Sequence, residues 1–257
     1  MHDAVLLVTD YGADDTYGAA LVGACWRVEP SLRCVAGTHG VPAGDALAGA
    51  YHIKAVAAAF PPGTVICAVV DPEVGTARRA VAVAAGGVRC VAPDTGLVSY
   101  LWAEAAADER ACVAVDTSAA ASPTFHGRDV FAPVAARLAC GAGLDSIGPR
   151  LDAPRLLDEA FCRDAGGALE GRVALADHFG NAVTTIRVAD LRGRRPLRAT
   201  WPGGGTDLVV TTYAHLGDRL GLLAGSAGHL ELAAAGVPAA ARGGPAPGTA
   251  VRVEVAG

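Results

Sequence analysis

A chain of 257 residues is long enough for one large domain or two smaller ones with well-buried cores. Its 52% hydrophobic fraction is mostly Ala and Val. The apolar stretch 55–70 is short and interrupted by Pro61 and Pro62, which argues against a transmembrane helix. With a net charge of −5 and a single lysine, and with a basic segment 192–198 that lacks aromatics and reads as a solvated loop, a nucleic-acid partner is not expected.

No basic segment followed by an apolar run opens the chain, so no signal peptide is expected and the location is taken as cytoplasmic. The seven cysteines (Cys25, Cys34, Cys67, Cys90, Cys112, Cys140, Cys162) are odd in number, scattered and never in a CxxC pair; buried, reduced thiols are expected.

In chain order, residues 4–9 form an apolar run ending at Asp10, and 16–26 are helix-like. Residues 33–37 read as a strand, 45–60 as an Ala-rich helix, and 64–70 as a β-branched strand ending at Asp71. A hairpin across Gly86-Gly87 is predicted to join 80–84 to 88–91. Helix 96–107, strand 111–115 and helix 130–140, closed by Gly141, complete this half. Continuous apolar strands between helices predict a parallel, doubly covered sheet: a Rossmann-like α/β domain over 1–145. A Gly-, Pro- and Asp-rich linker is expected over 146–168. Residues 169–257, with strands at 172–175, 181–188, 208–212 and 251–255 between glycine turns, are expected to form a small C-terminal β-barrel domain.

Asp10, Asp71 and Asp94 each stand at or just beyond a predicted strand end, where open parallel sheets bind ligands. Any one of them could equally be a helix N-cap. Asp71 precedes Arg78 by seven residues, and Phe125-His126-Gly127-Arg128-Asp129 follows about fifty residues on, making an acid, cation and imidazole set on a charge-poor chain. A structural ion pair and a plain helix entry are the alternatives for these residues.

Other chemistries lack their motifs. No GxGxxG follows the first strand, Lys54 stands in no P-loop, and no HExxH or clustered histidine set is present, so no metal and no cofactor are expected. His2, His39, His52, His178, His215 and His229 read as surface or core histidines. Ala224-Gly225-Ser226-Ala227-Gly228 loosely resembles a nucleophile elbow, but too few acid and base candidates follow it.

Six segments in order resemble the S-adenosylmethionine hydroxide adenosyltransferases, relatives of the fluorinases and chlorinases. They are Thr9-Asp10-Tyr11-Gly12-Ala13-Asp14-Asp15, the run from Val70 to Arg79, Ala92-Pro93-Asp94-Thr95-Gly96-Leu97, the run from Thr124 to Pro133, Asp177-His178-Phe179-Gly180-Asn181, and the run from Gly225 to Ala233. The resemblance implies an α/β domain followed by a β-barrel domain, in a homotrimer with active sites at subunit interfaces. It implies that water or hydroxide attacks the ribose C5′ of S-adenosyl-L-methionine, the small-molecule substrate, giving adenosine and L-methionine. Carried over by motif, Asp71, Arg78 and His126 activate the water and Asp10 holds the ribose hydroxyls. Asp15, Asp177 and Ser226 hold the methionine part, Asn181 the adenine edge, and Phe125 lines the pocket. No partner membrane is implied.

Three positions depart from the family pattern. Glu73 stands where glycine is usual, and would be strained if that position needs a positive φ. Thr95 replaces an asparagine, and Tyr11 replaces a phenylalanine conservatively. A chloride adenosyltransferase making 5′-chloro-5′-deoxyadenosine and a non-catalytic binding protein for the same substrate are the rival readings.

Overall fold

The computed structural model describes residues 4–118 and 120–256, so His2 lies outside the described residues. The chain divides into two compact units, 1–157 and 158–257.

The first unit runs β1 (Ala4–Thr9), α1 (Tyr17–Val28), β2 (Arg33–Thr38), α2 (Ala46–Ala59), β3 (Val65–Val69), β4 (Ala80–Ala85) and β5 (Val88–Pro93). It continues with α3 (Ser99–Glu104), β6 (Ala111–Val115), a π-helical turn (Gly127–Phe131) leading directly into α4 (Ala132–Ala139), and β7 (Arg150–Leu151). Its seven strands form one sheet in the order β2-β1-β3-β5-β4-β6-β7. β2, β1, β3 and β5 are parallel. The expectation of a parallel sheet fails beyond them, because β4 runs antiparallel to both β5 and β6, and β7 antiparallel to β6. The cause is the Gly86-Gly87 hairpin: with φ of 56° and 79°, both central residues take the positive values of a type I′ turn, which returns the chain beside the strand it left.

Successive side chains of a strand point to opposite faces. Val5 and Leu7 of β1 and Val65, Cys67 and Val69 of β3 pack in one cluster with Leu21, Ala24 and Cys25 of α1 and Ala132, Ala135, Ala136 and Leu138 of α4. The alternate residues Leu6, Val8, Ile66 and Ala68 are equally buried, and α2 packs against β1 and β3. Both faces being covered accounts for the unbroken apolar runs in the sequence. The helix expected over 96–107 is reduced to α3, and the one expected over 130–140 is entered through the π-helical turn.

The second unit holds β8 (Arg163–Asp164), β9 (Ala168–Ala176), β10 (Ala182–Arg187), β11 (Arg195–Trp201), β12 (Gly204–Thr206), β13 (Leu220–Ala224), β14 (His229–Ala234) and β15 (Ala250–Ala256). They form an antiparallel, nearly closed, barrel-like sheet in the order β12-β11-β15-β9-β10-β14-β13, with β8 beside β9. Leu169, Val173, Ile186, Leu222, Leu232 and Val253 meet in its core.

Three segments differ from what their sequences predict. The basic stretch 192–198 is not all loop: β11 begins at Arg195, and its Ala199 and Trp201 join the core while charged neighbours face outward. Residues 208–212 make no strand, only a single bridge from Val209 to Leu222. The expected linker 146–168 carries sheet at both ends, with Arg150–Leu151 paired to β6 and Arg163–Asp164 to β9. Among the described residues no helix is long and apolar enough to cross a membrane. No cysteine is in a disulfide; four are buried, while Cys140 is exposed.

Candidate active site

The parallel half of the first sheet ends β1 at Thr9 and its neighbour β3 at Val69, so Asp10 and Asp71 leave the same edge of the sheet. A cavity of about 60 Å³ opens there, lined by Asp10, Tyr11, Asp71, Thr124, His126 and Gly127 among others. That volume holds water.

Behind the cavity wall Arg78 joins two of these groups. Its Nε donates to Asp71 Oδ1 at 2.8 Å and its Nη2 donates to Asp71 Oδ2, a bidentate fork. The same Nη2 stands 3.0 Å from His126 Nδ1. The Arg78 and Asp71 side chains are 3% and 5% exposed, and the guanidinium lies 5.3 Å from the centre of the Phe131 ring. A guanidinium can only donate. His126 Nδ1 is therefore the acceptor, and the neutral ring carries its proton on Nε2. Burial, reinforced by the Arg78 cation, lowers the His126 pKa below its ordinary 6.5, while Asp71 and Asp129 oppose the shift more weakly. The ring is neutral at pH 7.

The loop that carries the pair is clamped from outside. Thr76 N donates to Glu73 O at 3.1 Å and Arg78 N to Thr76 Oγ1 at 3.2 Å. Arg79 Nε donates to Asp94 Oδ2 at 2.8 Å, and Arg155 N to Asp94 Oδ1 at 2.7 Å. Both oxygens of Asp94 are thus engaged by its own chain. Of the three strand-end carboxylates, Asp94 holds the loop and only Asp10 and Asp71 face the cavity. Glu73 has no positive φ, so the feared strain is absent; it reaches toward Arg155 at 3.8 Å, a contact between largely exposed groups. Thr95 turns its hydroxyl to Val70 O at 3.4 Å.

Asp10 Oδ2 accepts from Gly44 N at 2.8 Å. Phe125 packs edge-on against Tyr11 and Tyr17, with Arg128 over its ring at 5.0 Å. Asp129 fixes this loop by accepting from Ser122 N at 2.8 Å and from Arg128 Nε at 2.7 Å. Asp15 is exposed in the segment between β1 and α1.

In the second unit, Asp177 and Asn181 close the β9–β10 turn. Asp177 Oδ1 accepts from Phe179 N and Asn181 N at 2.9 and 2.8 Å, and Oδ2 accepts from Asn181 Nδ2 at 2.9 Å. The amide nitrogen of Asn181 is therefore committed to Asp177. Ser226 is exposed in the β13–β14 hairpin turn, which is not a nucleophile elbow; the nearby His229 is buried with its Nδ1 on Thr184 O at 2.8 Å. Glu231, unmarked from the sequence, is a buried carboxylate that accepts from Tyr213 Oη. Burial raises its pKa above 4.5. Among the described residues no group of three or more His, Cys, Asp or Glu could hold a metal ion.

Fold and site together define a two-domain protein in which an α/β unit presents a buried carboxylate–guanidinium–imidazole set at its strand ends and an antiparallel barrel follows. The chain belongs to the SAM hydroxide adenosyltransferase family: the N-terminal domain model matches residues 5–148 and the C-terminal domain model residues 171–252. The (R)-S-adenosyl-L-methionine hydrolase of Salinispora tropica is 44% identical over 183 residues, 69% of this chain and 69% of its own. That of Thermus thermophilus is 37% identical over 213 residues, covering 77% and 82%. More distantly, the fluorinase of Actinoplanes sp. is 29% identical over 216 residues, covering 73% and 72%. An uncharacterised conserved protein of Thermotoga maritima superposes with a TM-score of 0.86 at 27% identity, over 97% of this chain and 99% of its own.

Proposed function

We propose that this enzyme hydrolyses (R)-S-adenosyl-L-methionine, water replacing methionine at ribose C5′ to give adenosine and L-methionine. The observation that carries the reading is the buried Asp71–Arg78–His126 set on a water-sized cavity, in a chain whose relatives are named for that hydrolysis. Those names add the configuration at sulfur, which the sequence alone does not suggest.

A sulfonium leaves as a neutral thioether, so the reaction calls for no cofactor; it needs an oxygen nucleophile held in line with the C5′–S bond. Holding the two reactants together is worth on the order of 7–11 kcal/mol. Arg78 acts from behind the wall by orienting Asp71 and His126. His126 Nε2–H donates to the water oxygen. Each Asp71 oxygen keeps a lone pair beyond its bond to Arg78, so Asp71 takes the water's proton. The oxygen gains a lone pair as it loses that proton and forms the C5′–O bond while the C5′–S pair leaves on sulfur. This differs from a His126 base: its Nδ1 lone pair is already given to Arg78.

Asp10, whose Oδ1 has no partner among the described residues, suits the ribose hydroxyls, and Phe125 the pocket wall. Asp15, Asp177 and Ser226 are assigned to the methionine part and the remaining Asn181 carbonyl to the adenine edge. A cavity of about 60 Å³ is far too small for the whole substrate, so further walls complete the site; we assign them, on the family resemblance, to neighbouring subunits of a cytoplasmic homotrimer with active sites at subunit interfaces, and light scattering on the purified protein tests the trimer. The activity is tested with separated sulfur epimers in oxygen-18 water containing chloride. Adenosine labelled at O5′ and formed from the (R) epimer is expected. 5′-Chloro-5′-deoxyadenosine as main product, or no adenosine at all, refutes the reading.

A further inference from the structure

The Tyr11 hydroxyl is a polar group for which the reaction above has no task. Tyr11 directly follows Asp10, and its ring packs against Tyr17 and Phe125 at centroid distances of 5.5 and 5.9 Å. Tyr17 and Phe125 in turn meet at right angles. This three-ring contact sets where the phenol points. Its oxygen lies so close to Gly127 that a Cβ added there would be 2.3 Å from it, and Gly127 and Tyr11 both line the cavity that Asp71 and His126 face. Gly127 is the residue whose missing side chain leaves the hydroxyl its place.

Among the described residues the hydroxyl makes no hydrogen bond. Burial above all, then Cys67, Asp10 and Asp71, raises the phenol's pKa, so the group keeps its proton and is a donor. Most acceptors around it are engaged. Both Asp71 oxygens and His126 Nδ1 accept from Arg78, and Asp10 Oδ2 accepts from Gly44 N. Asp10 Oδ1 is assigned to the ribose hydroxyls and the remaining Asp71 lone pairs to the water's proton, so the acceptor that fits a further donor in this wall is the oxygen of the nucleophilic water.

We propose that Tyr11 is a further catalytic residue, whose O–H donates a hydrogen bond to the nucleophilic water and stabilises that oxygen as it becomes hydroxide. The inference rests on the hydrolytic reading above. The water's proton passes to Asp71, the oxygen's electron pair forms the C5′–O bond, and the C5′–S pair goes to sulfur. Tyr11 keeps its own proton throughout. With His126 Nε2–H it makes two donors on one oxygen. A water so bound has no lone pair left for attack, whereas a hydroxide has one. The site is thereby selective for the deprotonated nucleophile.

Tyr11→Phe tests this, since it keeps the ring contacts and removes only the donor. Turnover of (R)-S-adenosyl-L-methionine is expected to fall roughly ten- to a hundredfold in kcat, with KM within about twofold. The rising limb of the kcat–pH profile, which follows deprotonation of the nucleophile, should move to higher pH, because hydroxide is less stabilised. A merely structural role would leave that limb where it is. Unchanged kcat and profile, or a loss confined to KM, overturns the inference while leaving the hydrolase reading intact. Wild-type protein that forms no adenosine overturns the hydrolase reading itself. As a control on placement, Gly127→Ala should lose more activity in the Tyr11 background than in the Tyr11→Phe background; equal losses refute the position of the hydroxyl.

Discussion

Arg78→Lys keeps the positive charge and removes the fork. In the native site three hydrogen bonds to side chains leave this guanidinium, two to Asp71 and one, at 3.0 Å, to His126 Nδ1, beside a long one at 3.5 Å from Nη1 to Arg79 O. An ammonium on a single flexible stem can satisfy one of these acceptors well. A hydrogen bond involving a charged group contributes about 1.5–3 kcal/mol. Two lost bonds would set an upper bound near 3–6 kcal/mol. The retained Coulomb attraction between Lys and Asp71 in a buried setting offsets part of it, leaving about 2–3 kcal/mol. For a chain of this size that lowers Tm by about 4–12 °C. The kinetic loss should exceed what stability implies, because both cavity-facing groups lose their orientation and His126 loses the donor that fixes its tautomer. We expect kcat to fall at least about a hundredfold with KM nearly unchanged. Differential scanning fluorimetry and adenosine release measured on the same preparation check both numbers, and an NMR titration of His126 should show its pKa rising. A variant within threefold of wild type in kcat, with His126 titrating as before, refutes the claim that Arg78 works by holding Asp71 and His126.

The pH dependence follows from His126. Its folded pKa is lowered, so the unfolded chain takes the proton first; stability falls as pH drops below 6.5 and levels off below the folded pKa. Turnover should decline on the same acid limb, since an imidazolium would set a second cation against Arg78; a flat kcat profile from pH 7 to pH 5 contradicts this. Glu73→Gly should change Tm little and lower it if anything, because Glu73 sits at no positive φ and its exposed pairing with Arg155 is worth about 0–1 kcal/mol; a clear rise in Tm would mean the position is strained after all. Tyr213→Phe removes the O–H donor of buried Glu231 and should cost about 1–3 kcal/mol at pH 7. Burial already raises the Glu231 pKa above 4.5, so the deficit should shrink as the pH is lowered and the carboxyl takes up a proton, which chemical denaturation at several pH values would reveal.

Strands β1, β3 and β6 and the Gly86-Gly87 hairpin were legible because each rests on local chemistry: β-branched apolar runs, or two residues that tolerate positive φ. The mixed character of the sheet was not, although the hairpin implied it, because pairing of β4 with β6 joins segments about thirty residues apart. β11 was masked by its own arginines, whose outward positions carry the charge while Ala199 and Trp201 carry the burial. In the site, the Asp71–Arg78 fork was readable from spacing and residue type. The tautomer of His126 and the freedom of the Tyr11 hydroxyl were not, since both depend on which atoms of distant loops face each other. A phenylalanine-to-tyrosine exchange counts as conservative only until its hydroxyl is found at a cavity wall.

The same charges argue for water over halide. Asp10 and Asp71 line the cavity, and the Arg78 cation behind it is already matched by Asp71, so the site carries one net negative charge. A chloride entering adds a second. At about 4 Å and an effective dielectric near 20 this repulsion is about 4 kcal/mol, which the substrate's sulfonium, an opposite charge beside C5′, offsets by a comparable amount, so halide is disfavoured by its lack of a proton rather than by net charge. Water enters neutral, and its conversion to hydroxide hands a proton to Asp71, so the net charge of the site never grows. What selects the nucleophile is therefore a carboxylate able to neutralise itself as the hydroxide forms, which a halide, having no proton to give, cannot exploit.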